Sequence, residues 1–533
     1  MTHDTTSKTV VSALAHAAAS HRKTAYIDQG VVYSWQQVDQ MATQLAQRLR
    51  ALGLRQGDRI GIILPNSIEW VVTYFAAAKM GAVVVGLSVR YRDSELDFML
   101  SDSRVSLVLA PRVFSDFDYE RYLGAARTRV PTLRHALFVD AAGAMREDSF
   151  PALLDAAERA VDAEPGAAAN AVPAPDDLLM IIYTSGTTGR PKAAGLTHRS
   201  QLASARAQCA HTRLVADDLV QLAMPLNHVG GITCGVLSML LAGAACELVP
   251  AFNPEVVLTM TRQHPPTMLV GVPTMLTLLL MQPTLTEADF SRLRLIIVGG
   301  SNVEPALLTR LQTTFPSATI MNLYGLSESS GAIVMTPWQA SPKALLQSIG
   351  TPLDGAELRV VAPDGRAVAS PEIGELWFRG AGVIDAYVGT ERDTSAFDAD
   401  GWLHTGDLGY VDEQGLVHLM GRQKDMFIQG GFNVYPAEVE GVISAHPGVT
   451  MAAGIGVPDP VLGEVGRYYV VPRPDVALTE SELQVWCRER LADYKVPRQI
   501  VIRQQLPLTP AGKIHKAVLR DEAASQAPAA GVA

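Results

Sequence analysis

Residues 183–192 read Tyr183-Thr184-Ser185-Gly186-Thr187-Thr188-Gly189-Arg190-Pro191-Lys192, a turn of glycines and hydroxyls with a terminal cation, following an apolar strand expected at 178–183. Such a turn is built to handle phosphate. Glycines let backbone N–H groups approach a polyphosphate closely, Ser185, Thr187 and Thr188 add hydroxyl donors, and Lys192 adds charge. It differs from a Walker A loop, which needs Gly-x-x-x-x-Gly-Lys-Ser/Thr opening a helix. Here Pro191 precedes the lysine and an apolar stretch, 193–196, follows. Taken alone, a turn of this composition also reads as an ordinary surface loop.

Further clusters follow in order: Met224-Pro225-Leu226-Asn227-His228, Asn322-Leu323-Tyr324-Gly325-Leu326-Ser327-Glu328, Gly374-Glu375-Leu376-Trp377-Phe378-Arg379-Gly380, Trp402-Leu403-His404-Thr405-Gly406-Asp407, Gly421-Arg422-Gln423-Lys424-Asp425 and Leu506-Pro507-Leu508-Thr509-Pro510-Ala511-Gly512-Lys513. Together with the glycine turn, this series resembles the adenylate-forming superfamily, which includes acyl-CoA synthetases, firefly luciferase and peptide synthetase adenylation domains. The resemblance covers nearly the whole chain and is nearest to the acyl-CoA synthetases. It implies two steps. A carboxylate oxygen attacks the α-phosphorus of ATP, giving an acyl adenylate and pyrophosphate. The thiol of coenzyme A then takes the acyl group and AMP leaves. Because carboxylate and triphosphate repel each other, the first step needs cations and oriented donors more than a protein nucleophile or base.

The resemblance also assigns roles. Lys513 would bridge the substrate carboxylate and the α-phosphate. Thr184, Ser185, Gly186, Thr187, Thr188, Gly189 and Lys192 would hold phosphates. Glu328 would hold Mg2+, with Thr184 as a second ligand, as suits a hard cation that takes one or two carboxylates plus phosphate oxygens. Ser327 stands where relatives more often have threonine and keeps the hydroxyl donor. Asp407 and Arg422 resemble the pair on the ribose hydroxyls, a carboxylate accepting from a diol and a guanidinium donating; an ordinary surface ion pair is the alternative. Tyr324 offers a ring face for adenine, with Gly300 and Ser301 leaving room on the other face, and Asn322, Leu323 and Gly325 complete that strand end. His228 matches a position that lines the acyl pocket and gates the incoming thiol, although a lone histidine among apolar residues is as often a core group. The second step is reached by rotation about a hinge at Lys424, bringing up Gln429-Gly430-Gly431-Phe432, whose glycines let pantetheine pass. Some relatives carry lysines at the positions of Ile428 and Gly430, so this chain departs from them there.

The elements needed to position these groups are legible as alternating patterns. Val38, Met41, Leu45, Leu49 and Leu52 recur at helical spacing, whereas 59–64, 82–87, 219–224, 246–250, 267–270 and 293–298 read as buried strands. Alternation of this kind predicts parallel βαβ units, with ligands at the carboxyl ends of strands. After about Ala344 short strands with Gly and Asp-Gly turns, as at Pro363-Asp364-Gly365, indicate a β-rich subdomain. From Asp425 a compact pattern appears: helices at 437–445 and 480–491, strands at 451–457, 467–471 and 500–503. The expected fold class is therefore α/β: a large N-terminal domain of α/β layers plus a β-rich subdomain, with a small mobile α+β C-terminal domain. The expected boundaries are 1–421, a hinge at 422–425, 426–522, and a disordered low-complexity tail at 523–533. Residues 141–177, rich in Ala and Pro, are expected to be partly flexible.

Composition restricts the classes of function. A chain of 533 residues that is 48% hydrophobic can bury more than one core. With 44 Lys and Arg against 54 Asp and Glu, the net charge of -10 offers no broad attraction to nucleic acid or anionic membrane, so any anion site must be local. The four cysteines, Cys209, Cys234, Cys246 and Cys487, lack metal or redox spacing and read as reduced, mostly buried thiols. Residues 1–10 carry no hydrophobic signal core, and the longest apolar runs are too short to span a bilayer, so a cytoplasmic protein, monomer or homodimer, is expected.

The acyl lining implied by the resemblance, 227–233, 271–275, 299–302 and 322–327, mixes small and apolar residues with Asn, Ser and His and contains no Arg or Lys. A dicarboxylate such as malonate would leave its second charge unpaired there. The expected substrate is a medium-chain or alicyclic carboxylic acid, with a polar group on Asn302 or Asn322. Two other readings stay open: transfer of the adenylate to an amine or a carrier-protein thiol, and a non-catalytic nucleotide-binding protein.

Overall fold

The computed structural model describes residues 3–21, 23–139, 150, 172–184, 191–301, 303–474, 476–509 and 512–526. Short apolar runs separated by helical stretches fold into two large sheets. One has nine strands, with Thr319–Leu326, Leu295–Gly299, Met268–Gly271, Leu219–Leu222, Ala245–Leu248 and Thr24–Asp28 adjacent and parallel. The other has eight, in which Leu178–Thr184, Val83–Gly86, Arg59–Ile62, Leu107–Pro111 and His135–Val139 run parallel. The strands expected from sequence at 59–64, 82–87, 219–224, 246–250, 267–270 and 293–298 all lie on these two sheets, one or two residues shorter or shifted at their ends.

The helix Ile68–Met80 shows why the two sheets share an interior. It buries 11 of its 13 residues, so it has no face to offer water. Its Trp70, Tyr74 and Phe75 belong to one core cluster with Tyr26 and Leu222 of the first sheet and Ile60 and Met180 of the second. Ser67 caps the helix N-terminus and Gly81, at φ 68°, ends it in the left-handed conformation that glycine adopts without strain.

The β-rich texture after Ala344 becomes a four-stranded antiparallel sheet of Ala356–Val361, Gly374–Gly380, Leu403–Val411 and Val417–Arg422. The C-terminal region forms a separate five-stranded sheet around Val449–Asp459 and Gly463–Pro472, covered by the helices Pro436–Ser444 and Glu480–Arg488. Its core cluster, with Phe427, Val439, Tyr468 and Leu483, is distinct from those of the large sheets.

Residues 523–526, expected as the start of a disordered tail, are helical. The helix Lys516–Gln526 runs through 523–526, and Ala523 is buried beside Leu519 against the C-terminal sheet. Alanine is a strong helix former, so an Ala-rich composition continues a helix as readily as it ends one. The rest of that tail, and most of the Ala/Pro-rich stretch 141–177, lie outside the described residues. The described end of that stretch is held, with Asp176 paired to Arg199 at 2.6 Å. All four cysteines are free and buried. Among the described residues no helix is long and apolar enough to cross a membrane.

Candidate active site

The strand Leu178–Thr184 turns back on itself: it pairs antiparallel with Lys192–Thr197, Thr184 standing opposite Lys192. The glycine turn therefore joins two strands rather than a strand and a helix, as Pro191 and the apolar stretch after it require. Ser185, Gly186, Thr187, Thr188 and Gly189 lie outside the described residues. At the near edge of the turn the Thr184 hydroxyl faces the Lys192 carbonyl at 3.5 Å. The Lys192 ammonium donates to Asp393 Oδ2 at 2.9 Å and to Ser395 Oγ at 3.4 Å, and lies 4.7 Å from the centre of the Tyr387 ring.

Glu328 follows the strand Thr319–Leu326 and is held at two points by one segment. Tyr387 donates its hydroxyl to Glu328 Oε1 at 2.7 Å, and the Ile384 N–H donates to the Glu328 carbonyl at 2.9 Å. Burial, followed by the neighbouring Glu328 charge, pushes the Tyr387 phenol far up, so it stays a donor. Among the described residues no cluster of three or more His, Cys, Asp or Glu is arranged to hold a metal. One anchored carboxylate with an oxygen left over fits Mg2+, which takes one or two carboxylates and completes its shell with phosphate oxygens and water.

Asp407 and Arg422 stand opposite each other on adjacent strands, and Arg422 Nε lies 3.0 Å from Asp407 Oδ1. The second oxygen accepts from the Tyr324 hydroxyl at 2.6 Å. Asp407 is only 3% exposed while the Arg422 side chain is 43% exposed, so the pair has a buried carboxylate and a guanidinium open to a ligand. Tyr324 is itself buried, its ring 6.0 Å from that of Phe378, so it joins the floor of the site to the β-rich sheet.

Lys513 reaches the same place from the segment between the strand Gln499–Ile502 of the C-terminal sheet and the helix Lys516–Gln526. Thr274, at the start of the helix Pro273–Leu280, donates its hydroxyl to the Gly512 carbonyl at 2.6 Å, and the Lys513 N–H donates to Thr509 Oγ1 at 3.1 Å. The lysine side chain then runs past Gly300, where an added Cβ would come within 3.7 Å of Lys513 Cε and 3.3 Å of Val272. Gly300 has φ +83°, so both its space and its backbone favour glycine. Burial first and Arg422 second lower the Lys513 ammonium to about 8, against the pull of Asp407 and Glu328. His228 accepts the Gly230 N–H on Nδ1 at 3.2 Å, leaving the proton on Nε2, and burial with Lys513 nearby lowers it to about 3. It is a neutral imidazole.

Lys513, His228, Gly300, Asp407, Arg422 and Glu328 thus face one site. Ser327 and Asn322 are buried beside it, Ser301 is exposed at its edge, and Leu323 and Gly325 form its strand backbone. Gly430 and Gly431 do not join this group, and Lys424 stands at its margin, within electrostatic reach of Arg422 and Asp407. Lys424 is exposed after the last strand of the β-rich sheet, and the two glycines, at φ 58° and 88°, form the turn of the hairpin Phe427–Gln429 and Phe432–Val434.

The model of the AMP-binding enzyme family matches residues 14–388, and that of its C-terminal domain matches residues 438–513. The chain belongs to the AMP-binding enzymes. It is 37% identical over 477 residues to a 3-[(3aS,4S,7aS)-7a-methyl-1,5-dioxo-octahydro-1H-inden-4-yl]propanoyl:CoA ligase of Mycobacterium tuberculosis, covering 89% of this chain and 91% of the relative. It is 35% identical over 506 residues to a feruloyl-CoA synthase of an Amycolatopsis species, covering 95% and 96%. Among solved structures, ATP-bound MatB from Rhodopseudomonas palustris superposes with a TM-score of 0.85 at 30% identity, covering 96% of this chain and 98% of that one. This AMP-binding enzyme is therefore an adenylate-forming protein near the acyl-CoA synthetases, an AMP-forming acid–thiol ligase that uses ATP and CoA as substrates.

Sequence reasoning passed over two residues of this AMP-binding enzyme that the geometry brings in. Tyr387 and Asp393 sit on two-residue strands, too short to show a period, and Thr274, expected in the acyl lining, instead holds the Gly512 carbonyl through its hydroxyl. A signal for Tyr387 lies in the sequence: a lone aromatic a few residues after the run Gly380-Ala381-Gly382, in the stretch of short strands expected after Ala344.

Proposed function

We propose that the enzyme activates a medium-chain or alicyclic carboxylic acid as its adenylate and passes the acyl group to coenzyme A. The observation that carries this is the delivery of Lys513 past Gly300 to a site already holding Arg422, Asp407, Glu328 and neutral His228. In this reading the Lys513 ammonium lies between carboxylate and α-phosphate and offsets their repulsion as the new P–O bond forms. Asp407 accepts from the ribose diol and Arg422 donates to it, while Lys192 and the glycine turn hold the outer phosphates. Glu328, with Thr184, would hold magnesium, which when bound supplies charge against the phosphate oxygens. Ser327 donates to the α-phosphate or the acyl carboxylate, and His228 lines the acyl path.

For the second step, a hinge at 422–425 turns the C-terminal domain, 426–522, about Lys424 and withdraws Lys513. The Gly430-Gly431 turn then faces the site and gives pantetheine passage. Substrate choice rests on the lining, whose described residues carry no Arg or Lys apart from Lys513 itself. The alicyclic acid named for the Mycobacterium relative supports this class.

Pyrophosphate release with ATP and Mg2+ across short, medium, cyclic and aromatic acids, with and without CoA, tests the reading. Release stimulated by CoA for medium-chain or alicyclic acids is expected. A profile peaking on malonate overturns the substrate class. Release indifferent to CoA but raised by an amine or a carrier protein overturns the acceptor.

A further inference from the structure

Between the carboxylate read as the metal holder and the cation read as the phosphate holder stands one side chain that touches both. Tyr387 donates its hydroxyl to Glu328 Oε1 at 2.7 Å, and its ring carries the Lys192 ammonium at 4.7 Å from the centroid. The backbone explains how. Tyr387 pairs with Ala194 on one side and with Asp393 on the other. Alanine opposite is too small to fill the space over the ring, and Lys192, two residues before Ala194 on the same face of its strand, reaches diagonally across to it. Asp393, on the third strand, takes the same ammonium at 2.9 Å. The segment is fixed to the Glu328 turn a second time through Ile384 N–H at 2.9 Å.

We infer that Tyr387 is a positioning residue for adenylation, its hydroxyl fixing the Glu328 carboxylate that takes the metal and its ring fixing the Lys192 ammonium that takes the phosphates. This rests on the reading of Glu328 and Lys192 given above. A carboxylate free to rotate offers either oxygen in any direction. One whose Oε1 is held by a phenol presents Oε2 alone, in a set direction, to a cation that demands near-octahedral geometry. The ring contributes separately: the attraction of its face fixes where the Lys192 ammonium sits without adding a further anionic acceptor, whereas Asp393 and Ser395 accept from its N–H groups. The two functions separate by substitution, because Tyr387→Phe removes the hydroxyl and keeps the ring, while Tyr387→Leu removes both.

The test uses full-length enzyme and Mn2+ as the probe, read by electron paramagnetic resonance in the presence of a non-hydrolysable ATP analogue. Metal-free analogue binding is read by calorimetry. Tyr387→Phe is expected to raise the Mn2+ dissociation constant about tenfold with metal-free analogue affinity and melting temperature unchanged. Tyr387→Leu is expected to weaken metal-free binding as well, by several-fold. In a Glu328→Gln background, Tyr387→Phe is expected to have no further effect on Mn2+. Wild-type Mn2+ affinity in Tyr387→Phe, or an equal effect in the Glu328→Gln background, overturns the inference while leaving the assignment of Glu328 intact. Wild-type enzyme that takes up no Mn2+ with the analogue overturns that assignment and the inference together.

Discussion

Lys192 Nζ lies 2.9 Å from Asp393 Oδ2, so a carboxylate holds the cation assigned to the ATP phosphates. The Asp393 carboxyl is held at about 2, chiefly by the Ser395 hydroxyl and backbone and then by Lys192, and is ionised at any working pH. Asp393 and a phosphate therefore compete for one ammonium. The pair is partly exposed, at 23% and 39%, which limits its strength to about 0.2–1 kcal/mol. Asp393→Asn is expected to lower the KM for ATP by about two- to fivefold at low ionic strength, an effect that salt erodes. Lys192→Ala is expected to raise it about tenfold or more, since charge-assisted contacts contribute about 1.5–3 kcal/mol. Steady-state pyrophosphate release over a range of ATP concentrations checks both; a higher KM in Asp393→Asn contradicts the competition.

Much of this arrangement was legible before any coordinates. Parallel strands buried on both faces read as continuous apolar runs, so 178–183 and 293–298 announced themselves, and the motifs at their carboxyl ends pointed to one site. What sequence withheld is contact across distant segments. Asp407 and Arg422 could be matched as a pair because each lies in a dense motif, but nothing local indicates that Asp407 also accepts from Tyr324, 83 positions away. The link from Thr274 to Gly512 spans 238 positions through one hydroxyl. The six-residue π-helical turn Ile232–Leu237, just after His228, likewise leaves no periodic trace, since a single wide turn is set by packing rather than by spacing.

The two half-reactions should separate at Lys513. Because Lys513 enters the site from the C-terminal region, its backbone N–H held by Thr509 and the preceding Gly512 carbonyl held by Thr274, Lys513→Ala removes charge from adenylation while leaving that backbone in place. Losing a contact of about 1.5–3 kcal/mol slows adenylation roughly ten- to a hundredfold, and more where the contact exists mainly in the transition state. Thioester formation from a supplied acyl adenylate should be much less affected. Rapid-quench measurement of each step decides, and equal losses in both contradict the assignment.

Asp28 makes a prediction about stability instead. It is 6% exposed and accepts the Ile68 N–H at 2.8 Å, at the head of the buried helix, while its other oxygen is buried without a partner. Burial raises its carboxyl to about 6, above the unfolded value of about 3.9. The folded state therefore binds the proton more tightly, and the stability this contributes is present below about pH 4 and lost as pH rises to about 6. At about 1.4 kcal/mol per pKa unit, the loss is about 3 kcal/mol. Asp28→Asn should remove that fall from a plot of chemical unfolding free energy against pH between 4 and 6. An unchanged slope in the variant means the group titrates as it does in the unfolded chain.

The pH dependence of adenylation follows from Lys513 and His228, the two groups proposed to face the acyl carboxylate. Lys513 must be protonated to act, and its ammonium is lowered to about 8 by burial and Arg422, so the competent fraction falls as pH rises through that value. His228, lowered to about 3, is neutral throughout the working range and contributes no limb near its ordinary value of about 6.5. Because kcat/KM reports the free enzyme, kcat/KM for pyrophosphate release should be flat from about pH 6 to 7.5 and then fall toward a tenfold loss per pH unit above 8. Bound ATP and acid are anions that favour the charged lysine, so the same limb in kcat should lie at higher pH. His228→Ala should change the acid profile of KM while leaving the alkaline limb in place, and thioester formation from supplied adenylate should lack the limb altogether. An alkaline limb near 10.5 in kcat/KM would place Lys513 in ordinary solvent in the free enzyme, outside the cluster formed by Arg422, Asp407 and Glu328.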